Sequence, residues 1–507
     1  MSHLLLQTVF GYTMTFAMKF LFPNKADTES VCIYPVFDKV RPANNALAAL
    51  LPYLARNGEF KPKKSHTFYL FGKVKKLPAK LVLLGLGKVS KLDATSVLES
   101  FAEAVKVAAS HHPEKISVVL TGELLPFAQT VAEALTMANY HYAIYKTGKD
   151  AEKIQKQDKR EFEIIGVGQI KSVQILFQKG VDIASAVNEA RDWVNAPPNF
   201  VNTDFFEHKA REITKEIRAD LTILNKKQIM KLGMGALLGV NRGSRDEPRF
   251  IVIDYTPKGA NKKNPPIVFV GKGLIFDSGG YNLKPRGHIE NMQLDKAGAI
   301  TVFALMKILP RLGIKHRVVG MAPFTENLIG KDALKPSEIL KTYSGKTVEI
   351  TNTDAEGRLI LADALAYAVD KFKPKYLIDI ATLTGACVVA LGERYAGLFS
   401  NDKDLATKIR DAGDETDELM WELPMHKDDC KKMRGIYADL RNSDTGSSSN
   451  AGASKGAAFL KEIIGTTKWA HLDIAGPAFV KDPKKYETKG ATGFGVRALA
   501  RFLEKLE

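Results

Sequence analysis

Acidic and cationic side chains in this sequence gather where apolar runs end. Val270-Gly271-Lys272-Gly273 leads through Leu274-Ile275-Phe276 to Asp277-Ser278-Gly279-Gly280 and on to Lys284-Pro285, glycine-rich turns carrying two lysines and an aspartate. Met292-Gln293-Leu294-Asp295 and Asn352-Thr353-Asp354-Ala355-Glu356-Gly357-Arg358 each precede a helical pattern, and Ala381-Thr382-Leu383-Thr384-Gly385 follows an apolar strand pattern. Asp354 and Glu356 are two residues apart, so in extended chain their side chains leave on the same side. Such a pair repels itself unless a cation sits between. If Asp277 and Asp295 join it, four negative charges share a small volume, and each like pair ~4 Å apart costs about 4 kcal/mol at an effective dielectric of about 20. Two divalent ions carry the matching charge, and two metals about 3.5–4 Å apart are a hydrolytic arrangement. Taken singly the signals are bland: an Asp before a helix is commonly its cap, and a lone Lys272 would be a solvated turn lysine.

The elements that must position these groups alternate between strand and helix patterns, the signature of an α/β fold. Strands are expected at Val31 to Val36, Thr67 to Phe71, Leu81 to Leu84, Ile116 to Leu120 and Ile164 to Val167, with helices at Asn44 to Arg56, Ala94 to Ala109 and Phe127 to Met137. A helix over Val173 to Val194, stopped by Pro197-Pro198, marks the boundary between two domains. Beyond it, strands are expected at Phe250 to Tyr255, Ile267 to Val270, Arg317 to Ala322, Thr347 to Ile350 and Tyr376 to Ile380. Helices are expected there at Lys296 to Leu309, Leu359 to Phe372 and Ala457 to Ile464. The division is therefore an N-terminal extension (1–29), a smaller N-terminal α/β domain (30–180) and a larger C-terminal α/β domain (181–507). Lys146 to Arg160 reads as an exposed loop, and Asp444 to Ser454 as a flexible loop by composition.

Composition bounds the rest. With 507 residues, 45% hydrophobic and 26% charged, the chain is ordinary globular protein, not disordered, collagen-like or coiled-coil. Three cysteines, Cys32, Cys387 and Cys430, cannot build a disulfide framework and point to a reducing compartment. No apolar run reaches the roughly 18–20 residues of a membrane span. A cytoplasmic protein is the default; the first 26 residues carry no acid, so a mitochondrial import signal is the alternative.

The string Asn352 to Ala364 resembles the signature of the leucine aminopeptidases, or cytosol aminopeptidases. Val270 to Pro285, Ala381 to Ala386, Trp469 to Pro477 and Ala491 to Gly495 agree with it, and Asn195 to Asn199 and Met234 to Leu238 echo it more weakly. The resemblance implies a C-terminal catalytic domain with a mixed central sheet and a dinuclear-metal aminopeptidase. That enzyme would release N-terminal residues, Leu, Met and similar apolar ones preferred, by metal-activated hydroxide attack. It implies metal ligands at Lys272, Asp277, Asp295, Asp354 and Glu356, with Asp277 and Glu356 touching both ions, and catalytic roles for Lys284 and Arg358. Zn is the expected metal, with Mn, Co or Mg at one site, and bicarbonate is expected at Arg358. Met292, Asn352, Leu383 and Gly385 are the substrate-binding candidates, and a homohexamer is the implied assembly. A ligating lysine must be neutral, because an ammonium has no lone pair. One departure stands out: Lys296 follows Asp295 where the family has a small or apolar residue. Its side chain is expected to point away on the next helix; turned inward, it would oppose cation binding.

Other chemistries fit less well. There is no His-Glu-x-x-His for a single-zinc protease, Ser278 lacks the leading glycine of a nucleophile elbow, and Gly85-Leu86-Gly87-Lys88 lacks a third glycine. The rival from another class is a nucleic-acid-binding or architectural protein. It rests on 73 Lys+Arg against 57 Asp+Glu, a formal charge of +16, and on the basic runs Lys61 to Lys64 and Lys73 to Lys76. No helix-turn-helix or RNP motif accompanies them.

Overall fold

The structure, a computed structural model, describes residues 18–149, 151–152, 159–168, 170–444 and 450–506. It divides into two compact units. The first comprises the described residues up to Glu189 together with Asp482–Lys489; the second comprises Ala190–Lys481 and the residues from Gly490 onward. The division falls within the helix Lys171–Asn195. Among the described residues no helix is long and apolar enough to cross a membrane.

The first unit is built on six strands: β1 (Lys19–Leu21), β2 (Val31–Phe37), β3 (Thr67–Phe71), β4 (Lys80–Gly87), β5 (Lys115–Val119) and β6 (Glu161–Ile165), in the order β1-β6-β5-β2-β4-β3. All neighbours are parallel except the edge pair β3/β4. β2 and β4 are buried over most of their length, which is why they read as continuous apolar runs and not as alternating ones. Two sequence expectations change here. Part of the supposed extension is an ordered edge strand: β1 pairs with β6, and the Phe20 ring lies 5.3 Å from both Phe162 and Phe177. Residues 1–17, where an import signal would lie, are outside the described residues. In the Lys146 to Arg160 stretch, Arg160 is buried and donates to Pro113 O and to Asn139; positions 150 and 153–158 lie outside the described residues. The basic runs are mostly solvated, with Lys61, Lys63, Lys64, Lys73, Lys75 and Lys76 all exposed and Lys64 paired to Glu99 at 3.0 Å.

The second unit carries a mixed nine-stranded sheet. Its strands are β7 (Asp220–Leu224), β8 (Arg249–Tyr255), β9 (Ile267–Gly271), β10 (Gly273–Asp277), β11 (Val318–Asn327), β14 (Tyr376–Ala381), β15 (Ala396–Ser400), β16 (Met420–Glu422) and β18 (Trp469–Asp473). The order is β16-β15-β18-β14-β9-β11-β8-β7, with β10 pairing β11 beyond β9. A parallel block, β18-β14-β9-β11, is flanked by antiparallel β8 and β15. A second, small sheet joins β12 (Ile339–Lys341), β13 (Thr347–Glu349) and β17 (Leu440–Arg441), the last two parallel. The helix Gly452–Ile464 starts earlier than expected, taking in part of the supposed Asp444 to Ser454 loop; positions 445–449 lie outside the described residues.

The helix Ala297–Leu312 lies directly against the ends of β9 and β14. That approach needs glycine: a Cβ on Gly298 would stand 2.0 Å from Ile380 O. The helix closes on Gly313 in the left-handed conformation. The strands thus deliver their C-terminal ends, and the loops that follow them, to one edge of a sheet whose interior is apolar, where open α/β sheets hold ligands.

Candidate metal centre

Lys272 occupies the break between β9 and β10. Its backbone N–H donates to Ile380 O and its carbonyl accepts from Ala299 N, each at 2.9 Å, so main-chain bonds on two sides fix the side chain's root. Asp277 ends β10. Asp295 sits in the 3-10 turn Met292–Lys296 before the helix Ala297–Leu312. Asp354 lies in the irregular segment after β13, and Glu356 immediately precedes the helix Gly357–Phe372 without a side-chain bond to its first turn.

These four acids converge. One carboxylate oxygen from each of Asp277, Asp354 and Glu356 lies within 4.8 Å of the others. Lys272 Nζ reaches Asp295 Oδ2 at 2.8 Å and Glu356 Oε1 at 2.9 Å, and donates to Thr382 O at 2.9 Å. Two carboxylates and a carbonyl thus lie within 2.9 Å of the nitrogen, the surroundings of an ammonium. Lys284 Nζ bridges Asp277 Oδ2 at 2.9 Å and Asp354 Oδ1 at 2.5 Å. Gly357 makes room for this arrangement, since a Cβ there would lie 2.5 Å from Lys272 Cε.

Electrostatics follow from the crowding. Burial works to lower the pKa of Lys272, but Asp295, Glu356 and Asp277 outweigh it and hold the ammonium above its ordinary range. Lys284 behaves alike under Asp277, Glu356 and Asp354. Burial, then repulsion from Asp277, lifts Glu356 to about 8 despite Lys272. Burial also raises Asp295 and Asp354, against Lys272 and Lys284 respectively. Two lysines thus offset only part of the charge of four carboxylates. Glu356 Oε2 is buried with no hydrogen-bond partner among the described residues, a lone pair aimed into a site of oxygen donors. Carboxylates with one amine suit divalent zinc, manganese, cobalt or magnesium. The residues present fit such ions.

Of the remaining candidates, Arg358 is buried, lowered to about 10 by burial, and donates through Nη1 to Asn442 O at 2.7 Å. Leu383 N is held by Asp473 Oδ1 at 3.1 Å. Asn352 Oδ1 accepts from Asp354 N at 2.8 Å, shaping the turn that carries the acid. Gly385, exposed, begins the helix Gly385–Leu391, and Met292 is half-buried at the start of the 3-10 turn. Lys296 does not enter the acid cluster. Fully buried, it donates to Gln293 O at 2.6 Å and to Val194 O and Ala196 O at 3.2 Å each, and burial depresses it to about 7.

Sequence reading missed the groups that hold the acids in place. Thr382 Oγ1 donates to Asp295 Oδ1 at 2.6 Å, and Asn327 Nδ2 donates to Asp277 Oδ1 at 2.7 Å and to Thr353 O at 3.1 Å. Asp473 accepts from Thr384 Oγ1 at 2.7 Å. Thr382 lay inside a motif already singled out; Asn327 ends a long strand and carries no pattern at all.

A two-unit α/β protein whose larger sheet ends in a buried carboxylate–lysine cluster fits the class of metal-dependent hydrolases. The chain belongs to the cytosol aminopeptidase family: residues 188–500 match the family's catalytic domain and 36–149 its N-terminal domain. It is a peptidase, with the aminopeptidase activity of that family. It is 39% identical over 464 residues to a probable cytosol aminopeptidase of Geobacter sp. (strain M21), covering 91% of this chain and 92% of that one. A probable cytosol aminopeptidase of Agrobacterium fabrum is 41% identical over 427 residues, covering 83% and 84% respectively. Among solved structures it is similar to the bottromycin maturation enzyme BotP in complex with Mn, with a TM-score of 0.82 and 28% identity over 94% of this chain and 99% of that one.

Proposed function

We propose that the chain is a dinuclear-metal aminopeptidase of the leucyl type, cleaving the first residue from peptides with a free N-terminus. The observation that carries this is the convergence of Asp277, Asp295, Asp354 and Glu356 on Lys272 and Lys284, with Glu356 Oε2 left without a hydrogen-bond partner among the described residues. Lys272, Asp277, Asp295, Asp354 and Glu356 would hold two divalent cations. Bound ions supply Lewis acidity for the scissile carbonyl and lower the pKa of water from 15.7 towards about 7. The manganese named for the solved relative supports this donor set; zinc is the expected native ion.

The chain's own groups do the rest. Lys272 would hold a cation only as the neutral amine, its proton released to solvent, and its place among three acceptors resists that until a cation takes over their charge. Lys284, released from Asp277 and Asp354 by the same exchange, donates to the oxyanion of the tetrahedral intermediate; losing one such donor typically costs about 10²–10³ in rate. Arg358 stays protonated and would hold bicarbonate, an anion able to accept a proton. Met292 lines the pocket for an apolar first side chain, and Asn352, Leu383 and Gly385 position the peptide. A cytoplasmic setting is what the family name suggests, and a homohexamer is the assembly the resemblance implies. Hydrolysis of a Leu-aminoacyl reporter, before and after chelation, tests the reading. Chelated protein should be inactive and recover with Zn²⁺ or Mn²⁺; turnover that survives complete chelation removes the metal mechanism.

A further inference from the structure

The irregular segment 350–356 carries two of the acids, yet no helix or sheet ladder holds it. Its main-chain groups still need partners, because buried N–H and C=O groups left unpaired are costly. Asn282 and Asn327 serve Thr353, and Asn352 Oδ1 serves Asp354 N, but most of the bonds to residues 351, 352 and 355 come from one residue. Asn442 is fully buried. Its Oδ1 accepts from Thr351 N at 2.8 Å, Thr351 Oγ1 at 3.2 Å and Asn352 N at 3.3 Å. Its Nδ2 donates to Asn352 O at 2.6 Å and Ala355 O at 3.3 Å. Its own carbonyl accepts from Arg358 Nη1 at 2.7 Å, and its N–H donates to Glu349 O at 3.1 Å.

The topology explains the placement. β13 and β17 run parallel, with Glu349 opposite Arg441, so the next residues of the two chains emerge side by side. There the backbone ladder ends and the Asn442 carboxamide continues it, offering an acceptor and two donors where a strand would offer a carbonyl and an amide. Aspartate could accept but not donate. The segment is anchored again two residues on, where Lys455 Nζ meets Asp444 Oδ2 at 2.7 Å.

We propose that Asn442 is a positioning residue of the cation site: by gripping residues 351, 352 and 355 with its side chain and Arg358 with its carbonyl, it sets Asp354, Glu356 and Arg358 in mutual register. It touches no substrate and acts only through those groups. This rests on the metal-site reading above, and the test separates the two.

Metal-free wild type and Asn442→Asp are titrated with Co²⁺, reading affinity and the visible absorption band, well below the melting temperature of each. Wild type takes up Co²⁺; Asn442→Asp should bind it at least tenfold more weakly and with a shifted band, while remaining folded by circular dichroism. A band shift in folded protein reports ligand geometry, which a loss of stability alone would not move. Equal affinity and an unchanged band overturn the positioning role and leave the metal site standing. A wild type that takes up no Co²⁺ overturns the metal site itself, and this inference with it. If Asn442→Asp does not fold, Thr351→Val decides the matter by loosening the same junction from the other side, deleting the hydroxyl that reaches Ser443 O at 2.7 Å and Asn442 Oδ1 at 3.2 Å: a twofold or larger loss of Co²⁺ affinity supports the proposal, and unchanged affinity contradicts it.

Discussion

The acids of the cluster reach it on two arms of different construction. Asp277 ends a strand and Asp295 sits in a turn locked to a helix, so main-chain ladders and the fixed root of Lys272 place their backbones, and Asn327 and Thr382 only orient their carboxylates. Asp354 and Glu356 ride on an irregular segment whose geometry is set by side chains, chiefly Asn442, Asn282 and Thr353. One arm inherits its precision from the fold. The other obtains it from a few buried polar groups, each replaceable by a single substitution. The first arm should therefore tolerate substitution around its ligands better than the second, while loss of a ligand itself should be equally severe on both.

The largest effect tests that equality. Asp277→Asn and Glu356→Gln should each lower kcat by well over the roughly 10–100-fold that loss of an outer-shell partner costs, with the fold retained by circular dichroism. A variant keeping substantial turnover would remove its arm from the mechanism. Next in size is Lys284→Ala, the residue that spans the arms: kcat should fall about 10²–10³-fold with a smaller change in KM. A pure KM effect would contradict the oxyanion role.

The smallest effect sharpens the comparison through pH. Glu356 is held up at about 8 in the metal-free chain, against its ordinary 4.5. The folded state therefore keeps a proton there that the unfolded chain has shed, and this group's contribution to stability falls as pH rises from about 4.5 to about 8. Glu356→Gln lacks that loss. Chemical unfolding of the metal-free proteins from pH 5 to 8 should shift relative stability in favour of the variant as pH rises. An unchanged difference across that window would show that Glu356 is not held protonated.

What was legible in the sequence follows the same division. Elements with long apolar runs, such as β2, β9, β14 and the helix Gly357–Phe372, stood out because their burial is continuous. β7, with its alternating and mostly partial burial, and the three-residue β16 did not, since short, half-exposed strands carry little pattern. β1 hid in a stretch read as an extension because three residues have no periodicity. The acids and lysines were visible because they interrupt apolar runs at glycine-rich turns. Asn327 and Asn442 were not, because an amide that bonds distant backbone has no local spacing to betray it, and Asp473, though inside the string Trp469 to Pro477, carried nothing that set it apart there. The placing of Lys296 was half-visible: its direction away from the acids was expected, while its cage of three carbonyls depends on residues 194 and 196, a hundred positions earlier.

Anomalous X-ray scattering from crystals of the metal-free protein soaked in Mn²⁺ would show directly whether three distant stretches of chain share a pair of ions. Two peaks per chain should appear, roughly 3.5–4 Å apart, between Asp277, Asp354 and Glu356, with Lys272 and Asp295 completing one of them. A single peak, none, or peaks away from these carboxylates would contradict the account.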